Sequence, residues 1–420
     1  MSSLPRMTPD DTRVAQRRRT LSAPLAYALA GAVILLALFA SATPTPLYGI
    51  YRDLWDFSQL VLTLVYAVYA FGVLTTLLLA GRISDEVGRR PVLLGALATL
   101  MGATVLFMFA QSVVWLFVAR AIQGLATGLA LSTAAAALLD LHPRRDPAGV
   151  GLTNGVASAA GIGLGTLVSA AFVELLPAPR VLPYVPLLVL FAIAFTGALL
   201  MPEPVEAGSR LRLTPQRPSV PPAVRHPFLL AALGVLSSWS IAGLFLALGP
   251  QLSAVLFDTS NHLVAGIPVF VLAGSAAVSQ LLLGRTAPWL GASAGSAALA
   301  AGLLLIVAAA STDSAALLLI GALIGGAGFG IAFLGALRAL SASIPPDHRA
   351  AVMSAFYIVA YASLSVPAVI AGMVVTPLGL ESTFEIFGSV VSGLALIVAF
   401  EARRTRPQRA RVVGETVRVA

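Results

Sequence analysis

Two groups of residues in this 420-residue chain could do chemistry, and both are ionic. The first is the decapeptide GRISDEVGRR, residues 81–90, which carries five charged side chains although only 10% of the chain is charged. The second is Arg120, which stands with Gln123 and Gly124 in LFVARAIQGLATG, inside an apolar run that ends on a lone acid, Asp140. Such groups make ion pairs and hydrogen bonds that can form and break as helices move. Covalent catalysis has little to work with. There is no Cys, the four His (His142, His226, His262, His348) fall near the ends of apolar runs, and no Asp or Glu lies mid-run. Disulfides, thiol chemistry, a metal cluster and a nucleophile–base pair are therefore not expected.

The elements that must position these residues are membrane spans. The chain is 58% hydrophobic, against about 45–50% for a soluble domain, and its mean hydropathy is +0.92. Apolar runs near 24–46, 59–80, 92–110, 113–139, 149–173 and 181–200 are followed by a second set near 228–250, 263–283, 289–310, 314–341, 350–375 and 382–400. Each is long enough to cross a hydrocarbon layer of about 30 Å. The expected fold is an all-α polytopic membrane protein of twelve transmembrane helices, with the lipid bilayer as its surroundings. QRRRTLSA, an apolar run and FASA together resemble a secretory signal. The repeat described below gives this run a partner, so it reads as an uncleaved first helix.

The expected organisation is a basic arm (1–23), a six-helix bundle (24–201), a Pro- and Arg-rich linker (202–227), a second bundle (228–401) and a basic tail (402–420). Net charge is +8, and all 26 basic residues are Arg. With a cytoplasmic N-terminus, 22 of them fall in the termini and inward loops; Arg52 and Arg180 lie outside, and Arg120 and Arg338 lie within spans. That asymmetry places both termini inside a cell membrane. The positive charge reads as topology, not as a nucleic-acid surface.

The two halves resemble each other. Shifting by 202 aligns 121–150 with 323–352 without a gap, putting Gly124 on Gly326, Gly128 on Gly330, Leu138 on Leu340 and Pro143 on Pro345. Shifting by 203 lays GRISDEVGRR over GRTAPWLGAS (284–293), matching Gly81 to Gly284, Arg82 to Arg285 and Gly88 to Gly291. Duplicated halves about an axis along the membrane normal follow. Both copies keep Gly-Arg and the second Gly, which reads as turn and topology. Only the first keeps Asp85, Arg89 and Arg90.

GRISDEVGRR resembles the G-x-x-x-D-x-x-G-R-R/K loop of the major facilitator superfamily, and Arg120, Gln123 and Gly124 are similar to its R-x-x-Q-G motif in span four. The likeness extends over the whole chain. It implies the major facilitator fold, two pseudo-symmetric six-helix halves, and transport by alternating access. It also implies an ion pair between Arg89 and Asp140 that closes the cytoplasmic side, with Asp85 bracing a neighbouring helix end. On the residues themselves, Gly81 and Gly88 suit tight turns, Pro91 suits a first helical turn, and Arg90 and Glu86 read as topology. Arg120 either snorkels outward from the lipid face or faces the bundle interior, where carbonyls, Gln123 or substrate would satisfy it. In related antiporters this Arg is held to tune proton coupling, and here that is implied only. AAGIGLGT (159–166) resembles an antiporter signature, with Ile162 in place of its Pro and Thr166 in place of its last Gly. Gly161 and Gly165 equally make a close-packing face.

In this fold spans one, four, seven and ten line the path, flanked by two, five, eight and eleven. The polar and aromatic candidates there include Tyr66, Tyr69, Gln123, Asn154, Trp239, Gln251, Tyr357 and Tyr361, with Ser41, Thr43, Thr45, Ser158 and Gln280. Pro44 and Pro46 should kink span one, with Pro250 as a repeat-related bend. No mid-span acid answers Arg120, so a small-molecule substrate that is neutral, amphipathic or weakly anionic is expected, and not a polycation. Efflux of a drug or secondary metabolite is the leading reading, by a monomer with no cofactor and the proton gradient as driving force. Asp85, Asp53, Asp56 or Glu385 would then carry the proton; the alternative is a uniporter. A sugar or amino acid carrier, and a receptor that binds without transporting, are the alternatives.

Overall fold

The computed structural model describes residues 20–81, 83–204 and 217–405. Most of the N-terminal arm, Arg82, residues 205–216 of the linker and most of the tail lie outside the described residues.

Among the described residues twelve helical stretches are long and apolar enough to span a membrane. The first is built of α1 (Ala23–Ala42), a 3-10 turn (Thr45–Leu47) and α2 (Tyr48–Trp55). Then come α3 (Gln59–Leu79), the short α4 (Ile83–Val87), α5 (Arg89–Met108), α6 (Val113–Leu141), α7 (Pro147–Leu175) and α8 (Val185–Leu199). The second set is α9 (Arg225–Leu256), α10 (His262–Leu283), α11 (Pro288–Ser311), α12 (Ala315–Ser343), α13 (Arg349–Leu378) and α14 (Leu380–Arg404). Several starts are capped by the side chain just before them: Ser58 accepts from Val61 N, Asp146 from Ala148 N and Gly149 N, and Asn261 from Val264 N. These caps satisfy N–H groups that a helix start leaves unpaired.

Two spans exceed their expected limits by the most. Span one continues past its prolines to Trp55, and α9 runs through Pro250 to Leu256 and begins at Arg225, three residues before the expected 228. Pro250 sits inside a continuous helix, whereas Pro44 and Pro46 interrupt one. Two prolines two residues apart remove two N–H donors within one turn, which one helical stretch cannot absorb.

The halves are pseudo-symmetric in packing. In the first, α3 packs on α6, α1 on α7, and α5 on both α6 and α8. In the second, the equivalents α10 on α12, α9 on α13, and α11 on both α12 and α14 recur. The halves meet through α7 against α10 and α3 against α13. The repeat is visible atom by atom. A side chain on Gly124 would strike the carbonyl of Tyr69, and one on Gly326 would strike that of Leu272. Gly128 faces Val73 and Thr76, and Gly330 faces Ala276 and Ser279. Each second partner stands 203 residues after the first. Small residues thus bring span four onto span two, and span ten onto span eight, by the same contact.

Candidate functional site

At the arginine-rich face, Gly81 closes the turn after α3, and Arg89 gathers three elements. Its Nε donates to Asp140 Oδ2 at the end of α6 (3.0 Å), and its Nη1 donates to Ser84 Oγ (2.7 Å) and Asp85 Oδ1 (2.5 Å) in α4. The Arg89 side chain is 9% exposed, against 27% for Asp140 and 48% for Asp85. The Arg89–Asp140 contact expected from the sequence is present. Asp85 pairs with Arg89 itself, not with a neighbouring helix end as expected: both lie one turn apart across the α4–α5 corner, where the guanidinium is the nearest cation.

Sequence reading missed Glu203, four residues beyond α8. Its carboxylate accepts from Arg89 N (2.8 Å) and Arg90 N (2.9 Å), the first two N–H groups of α5. The third residue of that helix is Pro91, which has none to offer. An acid there also faces the positive end of the helix dipole. Gly88 makes this possible. Its φ is +104°, and a Cβ would lie 2.8 Å from Glu203 Oε2. Ser84, Asp85, Arg89, Asp140 and Glu203 all belong to the first half, so the cluster stiffens one bundle.

Arg120 faces the interior: it is fully buried, and the lipid-facing alternative is set aside. The break in span one explains why it is there. Pro44 has no N–H, so Ala40 O loses its helical donor, and Gln123 Nε2 supplies one at 2.9 Å. Ser41 O accepts from Arg120 Nη1 at 2.9 Å, and Thr43 O from Ser169 Oγ at 2.6 Å. Arg120 also bonds Tyr48 Oη, beyond the break, through Nε (2.9 Å) and Nη2, and Gln123 Oε1 through Nη1 (2.7 Å). Its guanidinium carbon lies 5.5 Å from the ring centres of Tyr48 and Tyr69. The R-x-x-Q pair of span four therefore grips span one on both sides of its kink. Each of these buried groups would cost about 1–3 kcal/mol if left unpaired. The prolines at 44 and 46 were the signal for donors at this height; which span supplied them was not readable.

The central residues divide. Tyr66 and Tyr69 of α3, Trp239 of α9, and Tyr357 and Tyr361 of α13 share one apolar cluster across both halves. The Trp239 ring lies 5.3 Å from Tyr361 and 5.5 Å from Phe333. Within the cluster Tyr66 Oη and Trp239 Nε1 are buried without a partner, as is the acceptor Gln280 Oε1 on α10. Asn154 stands apart on α7, half-buried. Gln251 lies toward the arginine-poor face, where it donates to Gln59 Oε1 (3.2 Å) across the halves. In span five, Gly161 and Gly165 pack against the carbonyls of Leu35 and Phe39 in α1, which is the close-packing role.

At the arginine-poor face a second tie crosses the halves. Glu174 Oε2, at the end of α7, accepts from His262 N (2.9 Å) and lies 3.2 Å from His262 Nδ1 at the start of α10. Beside it a cavity of about 130 Å³ opens between the halves. It is lined by Thr45, Tyr48 and Gly49 of the first and Gln251, Ser260 and His262 of the second.

Comparison with known proteins settles the family. The pattern of the Major Facilitator Superfamily matches residues 28–366. The chain belongs to that superfamily. It is similar to multidrug resistance protein MdtL of Klebsiella pneumoniae subsp. pneumoniae, 32% identical over 125 residues, covering 29% of this chain and 32% of the relative. It is also similar to the MdtL of Escherichia coli, 30% identical over the same length and coverage. The chain thus spans about a third of the length of the curated relatives it matches. Its fold is shared with the human organic anion transporter MFSD10 (TETRAN), with TM-score 0.66 and 18% identity over 91% of this chain and all of the other. This major facilitator chain is a transporter and not an enzyme. Among the described residues its fold is the expected one, all-α with twelve spans in two six-helix halves.

Proposed function

We propose that this transporter exports a small neutral, amphipathic or weakly anionic organic compound across a bacterial inner membrane, driven by the proton gradient. It works as a monomer with both termini in the cytoplasm, which makes the arginine-rich face the inner one. The observation that carries the reading is the inter-half cluster of Tyr66, Tyr69, Trp239, Tyr357 and Tyr361. It offers aromatic faces and two unpartnered donors, and the helices that supply it, α3, α9 and α13, contain no Asp or Glu. The charge of Arg120 stands 5.5 Å from the Tyr69 ring, so a cation entering the cluster meets a repulsion that the aromatic faces alone, and no carboxylate, would offset. The relatives named for multidrug resistance support a drug-like cargo, and the fold relative is named for organic anions.

Alternating access then separates two ends. Closure of the inner face uses the Arg89 cluster to hold α4, α5 and α6 as one body, so that α7 and α10 can meet there. Flux in proteoliposomes with an imposed pH gradient and a panel of neutral, anionic and quaternary ammonium compounds tests the reading. Neutral or anionic compounds are expected to move against the proton gradient. Preferential movement of quaternary ammonium compounds would overturn the substrate class, and flux indifferent to the gradient would overturn the coupling. Selective exchange of sugars or amino acids would make it a metabolite carrier.

A further inference from the structure

We propose that the start of α10, with His262, is a carboxylate-binding site that the chain's own Glu174 occupies in this closed arrangement, and that a cargo carboxylate displaces Glu174 from it. The inference rests on the weakly anionic class of cargo given above.

The chemistry of the site is that of an anion receptor. One carboxylate oxygen, Glu174 Oε2, sits on the backbone N–H of His262 and beside the imidazole Nδ1. The helix behind them is 22 residues long, so its aligned dipoles favour negative charge at this end. The occupant comes from the other half of the molecule, on a side chain that is 27% exposed, while His262 is 38% exposed. Both are within reach of solvent and of an entering solute.

The cavity of about 130 Å³ adjoins the same imidazole. A water takes up roughly 30 Å³, so there is room for a few waters or for the head of a small organic acid. None of its lining residues is acidic. Thr45 lines it and is 4% exposed, and its Oγ1 is buried with no partner. Tyr48 lines it too, and the guanidinium of Arg120 stands behind that ring. His262 in the lining and Arg120 behind Tyr48 thus suit a carboxylate, and the carboxylate now at its edge is Glu174.

Displacement has a mechanical consequence. Glu174 ends α7 of the first half and His262 begins α10 of the second, so their contact ties the halves at the arginine-poor face. A cargo carboxylate that takes over the His262 N–H unties them there. The Arg89 cluster at the opposite face, being internal to one half, is undisturbed. Arrival or departure of anionic cargo would in this way set the state of one gate.

The test is a binding measurement on the purified full chain with benzoate as probe and benzamide, its uncharged near-isostere, as control. Removing the internal competitor should strengthen binding. Glu174→Ala is expected to bind benzoate about tenfold more tightly than the parent chain, with benzamide unchanged. Glu174→Gln, which keeps the side-chain volume, should show part of the gain and guards against a folding defect in the Ala variant. Adding His262→Ala to Glu174→Ala should abolish the gain. Equal benzoate affinity in parent and Glu174 variants, an equal gain for benzamide, or no benzoate binding to any variant would each overturn the proposal. No flux is measured, so failure of the export reading is seen separately in proteoliposomes.

Discussion

The loop between spans two and three and its repeat between spans eight and nine are tied down by opposite chemistry. In the first, the loop supplies the cation. Arg89 takes the acid Asp140 from span four, and the acid Glu203 arrives from beyond span six. In the second, the positions equivalent to Asp85, Arg89, Arg90 and Asp140 are Pro288, Ala292, Ser293 and Ala342. Here the cations come from the helices. Arg338 of span ten donates to Gly284 O (2.6 Å) and Thr286 O (3.0 Å), and Arg403 at the end of span twelve donates to Ser293 Oγ (3.1 Å). Both loops are thus anchored to the fourth helix of their half and to the end of the sixth or the segment just after it. Only the first is anchored by charge on both sides. An ion pair can be weakened by protonation or by a competing ion, whereas a carbonyl bonded to an arginine has no second charge state. The difference places an adjustable joint in one half and a fixed one in the other.

The largest expected effect is the cleanest way to break that contrast. Arg89→Ala leaves Asp140, Asp85 and Ser84 without their common partner. The loss of stability should be about 2–3 kcal/mol, below the 3–5 of a fully buried pair because both acids are partly exposed. Flux should fall at least about tenfold, a barrier change of about 1.4 kcal/mol. Arg338→Ala removes donors from neutral carbonyls and should cost about 1–2 kcal/mol with a smaller loss of flux. Denaturation of the purified variants and flux in proteoliposomes check both. Equal effects would mean that the charged joint has no special role.

A second pair separates the two glycines that the repeat aligns. Gly88 precedes α5 with φ +104°, and its missing Cβ houses Glu203. Gly291 lies inside α11, and the nearest atoms to a Cβ there are at 3.4–3.5 Å. The shared second glycine therefore does not serve one turn in both copies, as its recurrence suggested. Gly88→Ala should destabilise by about 1–2 kcal/mol, whereas Gly291→Ala should be neutral or stabilise by up to about 0.5 kcal/mol through helix propensity. Thermal unfolding of the two variants side by side reads the difference.

The smallest effect concerns pH. Asp146 caps span five of the first half, while the residue 202 positions later, His348, precedes span eleven with no side-chain cap. The Ala148 and Gly149 N–H groups hold the Asp146 carboxyl below the ordinary value of 3.8. A depressed carboxylate stabilises fully above that ordinary value, and its contribution fades as pH falls through the lower folded value. Local protection of the amides of Ala148 and Gly149 should therefore weaken only below about pH 3.8, and Asp146→Asn should remove that acid sensitivity. Hydrogen exchange across the first turns of α7 and α13 measures it, and α13 should show no matching step.

Much of this was legible in the residues. Twelve apolar runs declared the spans, and the offset that aligned Gly124 with Gly326 recurs in the packing, where the two glycines sit on residues 203 apart. Small residues carry that information locally because nothing larger fits between two close helices. Glu203 was not legible, since a carboxylate in a proline-rich segment could cap any of several helix starts. Tyr48, Ser169 and the Glu174–His262 tie were missed for a similar reason. They belong to helices far apart in the chain that meet only when the bundle closes.

The sequence by itself determined that this is a two-half membrane protein, which loop carries the charge, and that span one must break at Pro44 and Pro46. Hydrophobic length, arginine placement and missing N–H groups are properties of short stretches, and short stretches can be read alone. The tertiary structure decided who answers the orphaned groups: Gln123, Arg120 and Ser169 for the carbonyls of span one, Glu203 for the start of α5, and Glu174 for the start of α10. Satisfying a buried polar group is a question of which distant atom lies within 3 Å, and only the packed bundle sets that distance.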